Sequence, residues 1–262
     1  MPGLSSALLS KEESATLFTI LSVFNGMVND KDPVTLKVGV LAIQGGFFEH
    51  KAALLKALKN YKFKNDIEVQ IVEVREEEDL QELDGLILPG GESTTMSIFL
   101  ESSGLDSVLK DWMNDKTKPR VVWGTCAGLI LMSNQIAGQK EGGQAKIGGL
   151  DITTSRNFFG RQLNSFEAEL DIKDKSVQES ILNSTVYQST CKGIHGVFIR
   201  APAVLSVDSK DVQILATVKI PSCDKPVIVA VAQNNLMATA FHPELTDDVE
   251  WHAYFLRKIL NA

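Results

Sequence analysis

The sequence predicts an α/β protein built on a doubly wound, mostly parallel sheet, with helices on both faces and an antiparallel flank. Two observations lead to this flavodoxin-like fold class. In the first half, short apolar runs such as VGVLAI and RVVWG alternate with segments of helical period. Continuous apolar runs are typical of parallel strands buried on both faces. In the second half, strand-like segments crowd together with little helix between them, which indicates the antiparallel flank.

The elements of the first half follow from the spacing of apolar residues. KVGVLAIQGG predicts a strand that ends in glycines, and FFEHKAALLKALKN predicts a helix. IEVQIVEV and LDGLILPGG predict the next two strands. TTMSIFLESSGLDSVLKDWMND predicts one or two helices, RVVWG a strand and AGLILMSNQIAG a helix.

The second half supplies six further predicted strands and a closing helix. The strands are expected in GGLDITTSRN, SFEAELDI, GVFIRAP, VQILATV, VIVAVAQ and LMATAFHP, and the helix in DDVEWHAYFLRKILN. Residues 37–262 therefore form one domain, preceded by an N-terminal extension over residues 1–36.

The extension is expected to form an amphipathic helix followed by a polar link. Ser10 and Glu13 match the S-x-x-E capping box, and apolar residues follow at helical spacing. Its apolar stretch, residues 15–28, is shorter than the roughly 20 residues that cross a bilayer, and it lacks the leading positive charge of a secretory signal. The alternative is a targeting segment or a mobile tail.

Composition excludes several classes of protein. The chain has 262 residues and a formal net charge of -7, which argues against nucleic acid as a partner. Its three cysteines leave one unpaired in any disulfide scheme, and none has a C-x-x-C spacing suited to metal or redox chemistry. We therefore expect a reducing, cytoplasmic compartment, no membrane span, no metal and no cofactor.

Cys126 lies in GTCAG, where a predicted strand runs into a predicted helix. Gly124 and Gly128 flank it in the cysteine form of the G-x-S-x-G nucleophile elbow, a turn too sharp for larger side chains. Such a turn raises the thiol above the carboxyl edge of the sheet and beside a helix N-terminus. It also leaves the Ala127 N–H free to donate to an oxyanion. The alternative is a small core residue.

A base for this thiol is expected in ATAFHPELT, at the end of a predicted strand. His242 and Glu244 lie two residues apart, so both side chains point to one face of an extended strand. Pro243 favours extended backbone at His242. Glu244 then orients the imidazole while His242 accepts the thiol proton. A structural histidine at a strand end is the alternative.

The segment LDGLILPGGESTTM combines a strand, a Pro-Gly-Gly turn and a helix start. Glycine lets the backbone approach a ligand closely, so the Gly91 N–H is the candidate for a second oxyanion donor. Ser93 or Thr94 is the expected helix cap. Without the other motifs, the same segment is equally well explained as a plain loop between strand and helix.

Together these motifs resemble the class I, triad-type glutamine amidotransferases, and among them the glutaminase subunits of pyridoxal 5'-phosphate synthase. The resemblance extends from Val38 to Asp248 in family order. RNFFGRQ and FIRAP are more selective for this branch than the triad. The segments that carry it are VGVLAIQGGFFEH, DGLILPGGESTTM, GTCAGLI, SRNFFGRQLNSFEAEL, GVFIRAP and FHPELTDD.

The resemblance implies a glutaminase domain that hydrolyses L-glutamine to glutamate and ammonia through a Cys126 thioester. His242 and Glu244 complete the triad, and the Gly91 and Ala127 amides form the oxyanion hole. An arginine pairs bidentately with a carboxylate, although an exposed arginine is often only a solvated charge. The implied glutamine-binding residues are Gly91, Glu92, Ser93, Arg156, Ile199 and Arg200.

The implied partner is a TIM-barrel synthase subunit that receives the ammonia through a channel. Gln44 matches the position that couples docking to oxyanion-hole formation, or it is simply an uncharged residue at a strand end. Two alternatives stay open. One is a glutaminase subunit of another amidotransferase, such as imidazole glycerol phosphate synthase, against which RNFFGRQ and FIRAP argue. The other is a non-catalytic scaffold, against which the complete triad argues.

Overall fold

The computed structural model describes residues 34–61, 63, 67–139, 146–160, 165–182 and 193–262. The helix expected within residues 1–36 lies outside these ranges. The first strand begins at Val34, three residues before the expected start of the domain, because residues 34–36 already pair with the neighbouring strand.

The centre of the fold is a run of five parallel strands in the order β2-β1-β3-β4-β13. The order of the first four, 2-1-3-4, is that of flavodoxin-like sheets, so the doubly wound fold is confirmed. Strand order reverses between β1 and β3, which is the position where ligands bind in open α/β folds. The strands are β1 (Val34–Leu41), β2 (Ile67–Val74), β3 (Gly85–Leu88), β4 (Val121–Thr125) and β13 (Leu236–Thr239).

Five of the helices form two groups, and the helices of each group pack against one another. The first and last helices, α1 and α6, pack together, while α2 packs on both α3 and α4. Right-handed crossovers to either side of β1 place such groups on opposite faces of the sheet. No helix within the described ranges is both long and apolar enough to cross a membrane. The helices are α1 (Phe47–Asn60), α2 (Ser93–Ser103), α3 (Leu105–Asn114), α4 (Ala127–Met132), α5 (Lys175–Leu182) and α6 (Glu250–Leu260).

The predicted antiparallel flank is confirmed on the β13 side of the sheet. There β12 pairs antiparallel with β13, and β10, β6 and β5 continue the sheet outwards. Strands β11 and β8 branch from β12, and β7 and β9 form a separate pair. These strands are β5 (Ser133–Ile136), β6 (Leu150–Ser155), β7 (Phe166–Glu169), β8 (Asp171–Ile172), β9 (His195–Phe198), β10 (Ala203–Val207), β11 (Gln213–Val218) and β12 (Val227–Gln233).

Several local predictions were wrong or incomplete. The predicted strand SFEAELDI forms two strands, β7 and β8, in different sheets, and β10 was not predicted. The segment AGLILMSNQIAG is not one helix, because α4 ends at Met132 and β5 follows at once to pair parallel with β6. Tertiary pairing here overrides helical periodicity. Helix α5 was not predicted, although Asp174 caps it by accepting hydrogen bonds from the Ser176 and Val177 amides at 2.9 and 3.1 Å.

The junction between β4 and α4 is held by two glycines. A β-carbon on Gly124 would lie 2.6 Å from the carbonyl carbon of Gly128. A β-carbon on Gly128 would overlap the carbonyl oxygen of Leu88, the last residue of β3. The expectation that larger side chains clash at these positions is therefore confirmed, and the clash is with backbone that has no room to move.

We predict that Gly128→Ala destabilises the protein by about 3 kcal/mol or more, because the methyl group must displace the backbone of β3. Gly104→Ala is the matched control. Gly104 has a φ of +73°, but no atom lies within 4 Å of the position that a methyl group would take, so its cost is only the left-handed conformation, about 1 kcal/mol. Urea unfolding followed by circular dichroism compares the two, and equal losses of stability would contradict this packing argument.

Candidate active site

A cavity of about 730 Å³ opens at the carboxyl edge of the parallel strands. Ten of the eleven site residues predicted from sequence line it, and Gln44 is the exception. The segments that follow β1, β3, β4 and β13 all contribute to its wall, as the switch-point rule requires. The lining residues are Gly45, Gly46, Glu49, Gly90, Gly91, Glu92, Ser93, Thr94, Cys126, Ala127, Ile130, Ala137, Arg156, Asn157, Ile199, Arg200, His242, Glu244 and Leu245.

Cys126 occupies the strained turn between β4 and α4. Its backbone has φ 46° and ψ -97°, a conformation that a non-glycine residue adopts only when its surroundings enforce it. The residue is only 6% exposed, yet it faces the cavity. Ala127 is the first residue of α4, so its N–H has no partner within the helix. The thiol and the candidate oxyanion donor therefore adjoin the same space.

His242 and Glu244 form a hydrogen-bonded pair, with 2.8 Å between His242 Nδ1 and Glu244 Oε1. The expected extended strand is wrong, because β13 ends at Thr239 and Pro243–Leu245 form a 3-10 turn. Proline favours the first position of a helical turn, and this turn folds the carboxylate back onto the imidazole. The predicted contact is present, but a different backbone produces it.

The electrostatics of this pair favour charge on both groups. Burial would lower the pKa of His242, but hydrogen bonds with Cys126 and Glu244 outweigh it and raise the pKa to about 10. Burial would likewise raise the pKa of Glu244, but the neighbouring His50 and His242 outweigh it and hold the pKa below its usual range. At neutral pH the imidazole is therefore protonated and the carboxylate ionised.

The loop after β3 is tied to the loop after β1. The Gly90 carbonyl accepts from the Gly46 N–H at 3.2 Å, and the Gln44 side chain accepts from the Glu92 N–H at 3.1 Å. Because C=O and N–H point in opposite directions across a trans peptide, the Gly91 N–H points away from Gly46. Gln44 thus contacts the loop that carries the candidate oxyanion donor without lining the cavity.

Glu92, and not Ser93 or Thr94, caps α2. Its carboxylate accepts from the Thr94 and Thr95 amides at 3.1 and 2.7 Å. Partial burial would raise the pKa of Glu92, but these hydrogen bonds lower it. Its extended backbone lets the longer side chain reach both amides, whereas Ser93 is already the first helical residue. The carboxylate is thus largely engaged at the helix start, at the cavity wall.

Both predicted arginines lie in the cavity wall. Arg156 follows β6, and its guanidinium lies 3.5 Å from the Thr94 hydroxyl. Arg200 follows β9 with a φ of 47°, next to Ile199. Asn157, with a φ of 52°, also lines the cavity. Part of the RNFFGRQ motif, residues 161 and 162, lies outside the described residues.

Sequence reasoning missed a buried polar cluster behind Glu244. His50 Nε2 lies 3.3 Å from Glu244 Oε2 and 3.1 Å from Thr125 Oγ1, and His50 Nδ1 lies 3.0 Å from His252 Nε2. Both histidines are completely buried. The burial of both histidines could have been predicted from their spacing. In each helix, the histidine and the residues three, four and seven positions later lie on one buried face, and those other residues are small or apolar.

The strand order and the cysteine, histidine and glutamate at its carboxyl edge are features expected of class I glutamine amidotransferases. A solved structure described as a glutamine amidotransferase has the same fold, with a TM-score of 0.63 and 35% sequence identity. It covers 85% of this chain and 98% of that one.

The chain belongs to the SNO glutamine amidotransferase family, whose model matches residues 40–261. It is 45% identical over 240 residues to the probable pyridoxal 5'-phosphate synthase subunit PDX2 of Arabidopsis thaliana, covering 85% of each chain. It is 41% identical to the probable subunit pdx2 of Dictyostelium discoideum, covering 86% of this chain and 93% of that one. It is 40% identical to the pyridoxal 5'-phosphate synthase subunit PdxT of Methanosarcina mazei, and the match covers 87% of this chain and 100% of that one.

We predict that Cys126→Ala lowers the pKa of His242 from its value of about 10, because the thiol is the leading group that raises it. An NMR pH titration of the imidazole measures this change. Cys223→Ala is the matched control, since Cys223 is also a free cysteine and does not line the cavity. An unchanged His242 titration in Cys126→Ala would show that the two side chains do not interact.

Proposed function

We propose that this chain is the glutaminase subunit of a pyridoxal 5'-phosphate synthase. It hydrolyses L-glutamine to glutamate and ammonia and delivers the ammonia to a TIM-barrel synthase subunit. The observation that carries the proposal is an imidazole hydrogen-bonded to Glu244 that lines the same cavity as the Cys126 thiol and two arginines. The names of the three relatives support the choice of synthase.

Glutamine binds with its side-chain amide at Cys126 and its α-carboxylate at the arginines. Arg156 and Arg200 offer planar guanidinium groups that suit a carboxylate. Gly91, Ser93 and Ile199 complete the pocket wall, and Glu92 contributes by fixing the start of α2. A cavity of about 730 Å³ accommodates an amino acid of this size.

The first half of the reaction forms a thioester. The thiolate sulfur of Cys126, whose proton His242 has accepted, attacks the amide carbon, and the carbonyl oxygen becomes an oxyanion that accepts from the Gly91 and Ala127 amides. Because the raised pKa of His242 leaves its imidazole protonated, the proton for the leaving group is present before attack. His242 donates it to the amide nitrogen as the C–N bond breaks, and ammonia leaves.

The second half hydrolyses the thioester. The imidazole, now neutral, accepts a proton from water as the water oxygen attacks the acyl carbon. A second oxyanion forms in the same place, the C–S bond breaks, and glutamate leaves with Cys126 and His242 restored. Glu244 keeps its charge throughout and orients His242.

Delivery to a partner follows from the chemistry of ammonia. In water at neutral pH ammonia is largely protonated and no longer nucleophilic, so a channel to the synthase preserves its reactivity. In this proposal Gln44 couples docking to the oxyanion hole, because its side chain accepts from the backbone N–H of Glu92, next to Gly91. A reducing, cytoplasmic location is part of the proposal because Cys126 must be a free thiol.

We predict weak glutamate release by the purified chain and a higher rate when the synthase subunit is added. Cys126→Ala abolishes both rates, because no other group in the cavity replaces the sulfur nucleophile. Glutamate release coupled to a dehydrogenase measures the rates. Cys223→Ala serves as the control and keeps wild-type activity. Full partner-stimulated activity in Cys126→Ala would disprove the thioester mechanism, and stimulation by an unrelated amidotransferase synthase alone would disprove the choice of partner.

We predict that Arg156→Lys and Arg200→Lys each raise KM for glutamine by about tenfold or more, because an ammonium cannot make the bidentate contact of a guanidinium. Steady-state kinetics of the stimulated enzyme measure KM. Arg75→Lys is the control, since Arg75 is exposed and pairs with Glu73 away from the cavity. If neither cavity substitution changes KM, the α-carboxylate binds elsewhere.

A further inference from the structure

We propose that His50 is a positioning residue that donates a hydrogen bond from Nε2 to the second carboxylate oxygen of Glu244, and that His252 donates to His50 Nδ1 in the tautomer that makes this possible. The inference deepens the proposed function and rests on it for its consequence in catalysis. Its structural content, a defined tautomer of a buried histidine, is testable without any activity.

The two oxygens of Glu244 have different surroundings. Oε1 accepts from His242 Nδ1 at 2.8 Å, whereas Oε2 has no conventional hydrogen bond among the described residues and lies 3.3 Å from His50 Nε2. The carboxylate is only 2% exposed, so bulk solvent does not reach it. A buried carboxylate oxygen without a donor is costly, and the His50 N–H, which also faces the Thr125 hydroxyl oxygen at 3.1 Å, is the group placed to supply one.

The contact between the two histidines selects the tautomer. His50 Nδ1 and His252 Nε2 lie 3.0 Å apart, so one nitrogen donates and the other accepts. If His252 donates, His50 carries its proton on Nε2, facing Glu244 and Thr125. The far nitrogen of His252, Nδ1, then keeps only a lone pair, and within the described chain it has no hydrogen-bond partner.

The opposite tautomers are unfavourable at both ends of the cluster. If His50 Nδ1 donates, the lone pair on His50 Nε2 can accept from the Thr125 hydroxyl at 3.1 Å, but it also faces the lone pairs of Glu244 Oε2 across 3.3 Å. His252 must then carry its proton on Nδ1, where the described residues offer no acceptor. A buried N–H without an acceptor costs more than a buried lone pair, so the first arrangement is preferred.

His50 acts as a neutral donor rather than as a cation. Burial lowers the pKa of His50 despite the nearby Glu244, and burial lowers the pKa of His252 further. Trp123 packs edge-on against both rings, at centroid distances of 5.6 and 4.9 Å, which adds to their shielding from water. Glu244 is therefore held between a charged donor, His242, and a neutral one, His50.

The test compares His50→Leu, which removes the donor, with His50→Gln, whose amide nitrogen can replace Nε2. We expect kcat of the synthase-stimulated reaction to fall about 10- to 100-fold in His50→Leu with little change in KM, the loss expected for a hydrogen bond to a buried charge. His50→Gln should recover most of kcat. His195→Gln, an exposed histidine outside the cavity, is the matched control.

A second measurement does not depend on activity or on the folding of a variant. Nitrogen-15 NMR of the wild-type chain, with histidine labelled, reports which ring nitrogen of His50 is protonated. We expect the proton on Nε2, facing Glu244 and Thr125. A proton on Nδ1 in the wild type, or equal losses of kcat in His50→Leu and His50→Gln, would overturn the inference.

These outcomes separate the inference from the proposed function. If the wild type lacks glutaminase activity but His50 carries its proton on Nε2, the proposed function fails and the tautomer assignment stands. If the wild type is active and His50 carries its proton on Nδ1, the function stands and the positioning role fails.

Discussion

The backbone contact between α4 and β3 is the constraint on which the active site depends. Gly128 lies so close to the Leu88 carbonyl that no side chain fits between them. This contact brings the start of α4 against the end of β3, and the chain reaches it through the strained conformation of Cys126. The thiol, the Ala127 amide and the Gly90–Gly91 turn meet at one edge because two backbones touch there.

Burial disfavours charge on His242 and Glu244 of the candidate triad, but burial alone does not determine which groups are charged. Removing His242 and Glu244 from water disfavours charge on each, but hydrogen bonds with Cys126 and Glu244 reverse the result for His242, and the neighbouring His50 and His242 reverse it for Glu244. His50 and His252 are completely buried, more deeply than His242, and for them burial prevails. The difference lies in the depth of burial and in the partners, since His242 faces both a thiol and a carboxylate. Charge is therefore concentrated on the two groups that border the cavity.

Sequence predicted the parallel strands and the elbow because each depends on local pattern, whereas Arg156, Ile199 and Arg200 were expected in the cavity only from the family resemblance. The clash at Gly128, for example, follows from a five-residue motif. The failures arose where tertiary contacts decide. Pairing with β6 makes Ser133–Ile136 a strand where a helix was predicted. Pro243 begins a 3-10 turn where a continued strand was predicted. His50 and His252 were interpreted only as members of helical patterns, because residues about 200 positions apart meet only in the folded chain.

Helix α1 physically connects the two halves of the candidate catalytic site. It begins directly after Gly46, whose amide binds the Gly90 carbonyl beside the candidate oxyanion donor. One turn later, His50 reaches Glu244, the hydrogen-bond partner of the candidate base His242. A β-carbon on Gly46 would itself lie 2.9 Å from Glu244, so loop and carboxylate are in close contact. A shift of the loop that carries Gln44 would therefore move the start of α1 against Glu244, which links any change at the oxyanion hole to the orientation of His242.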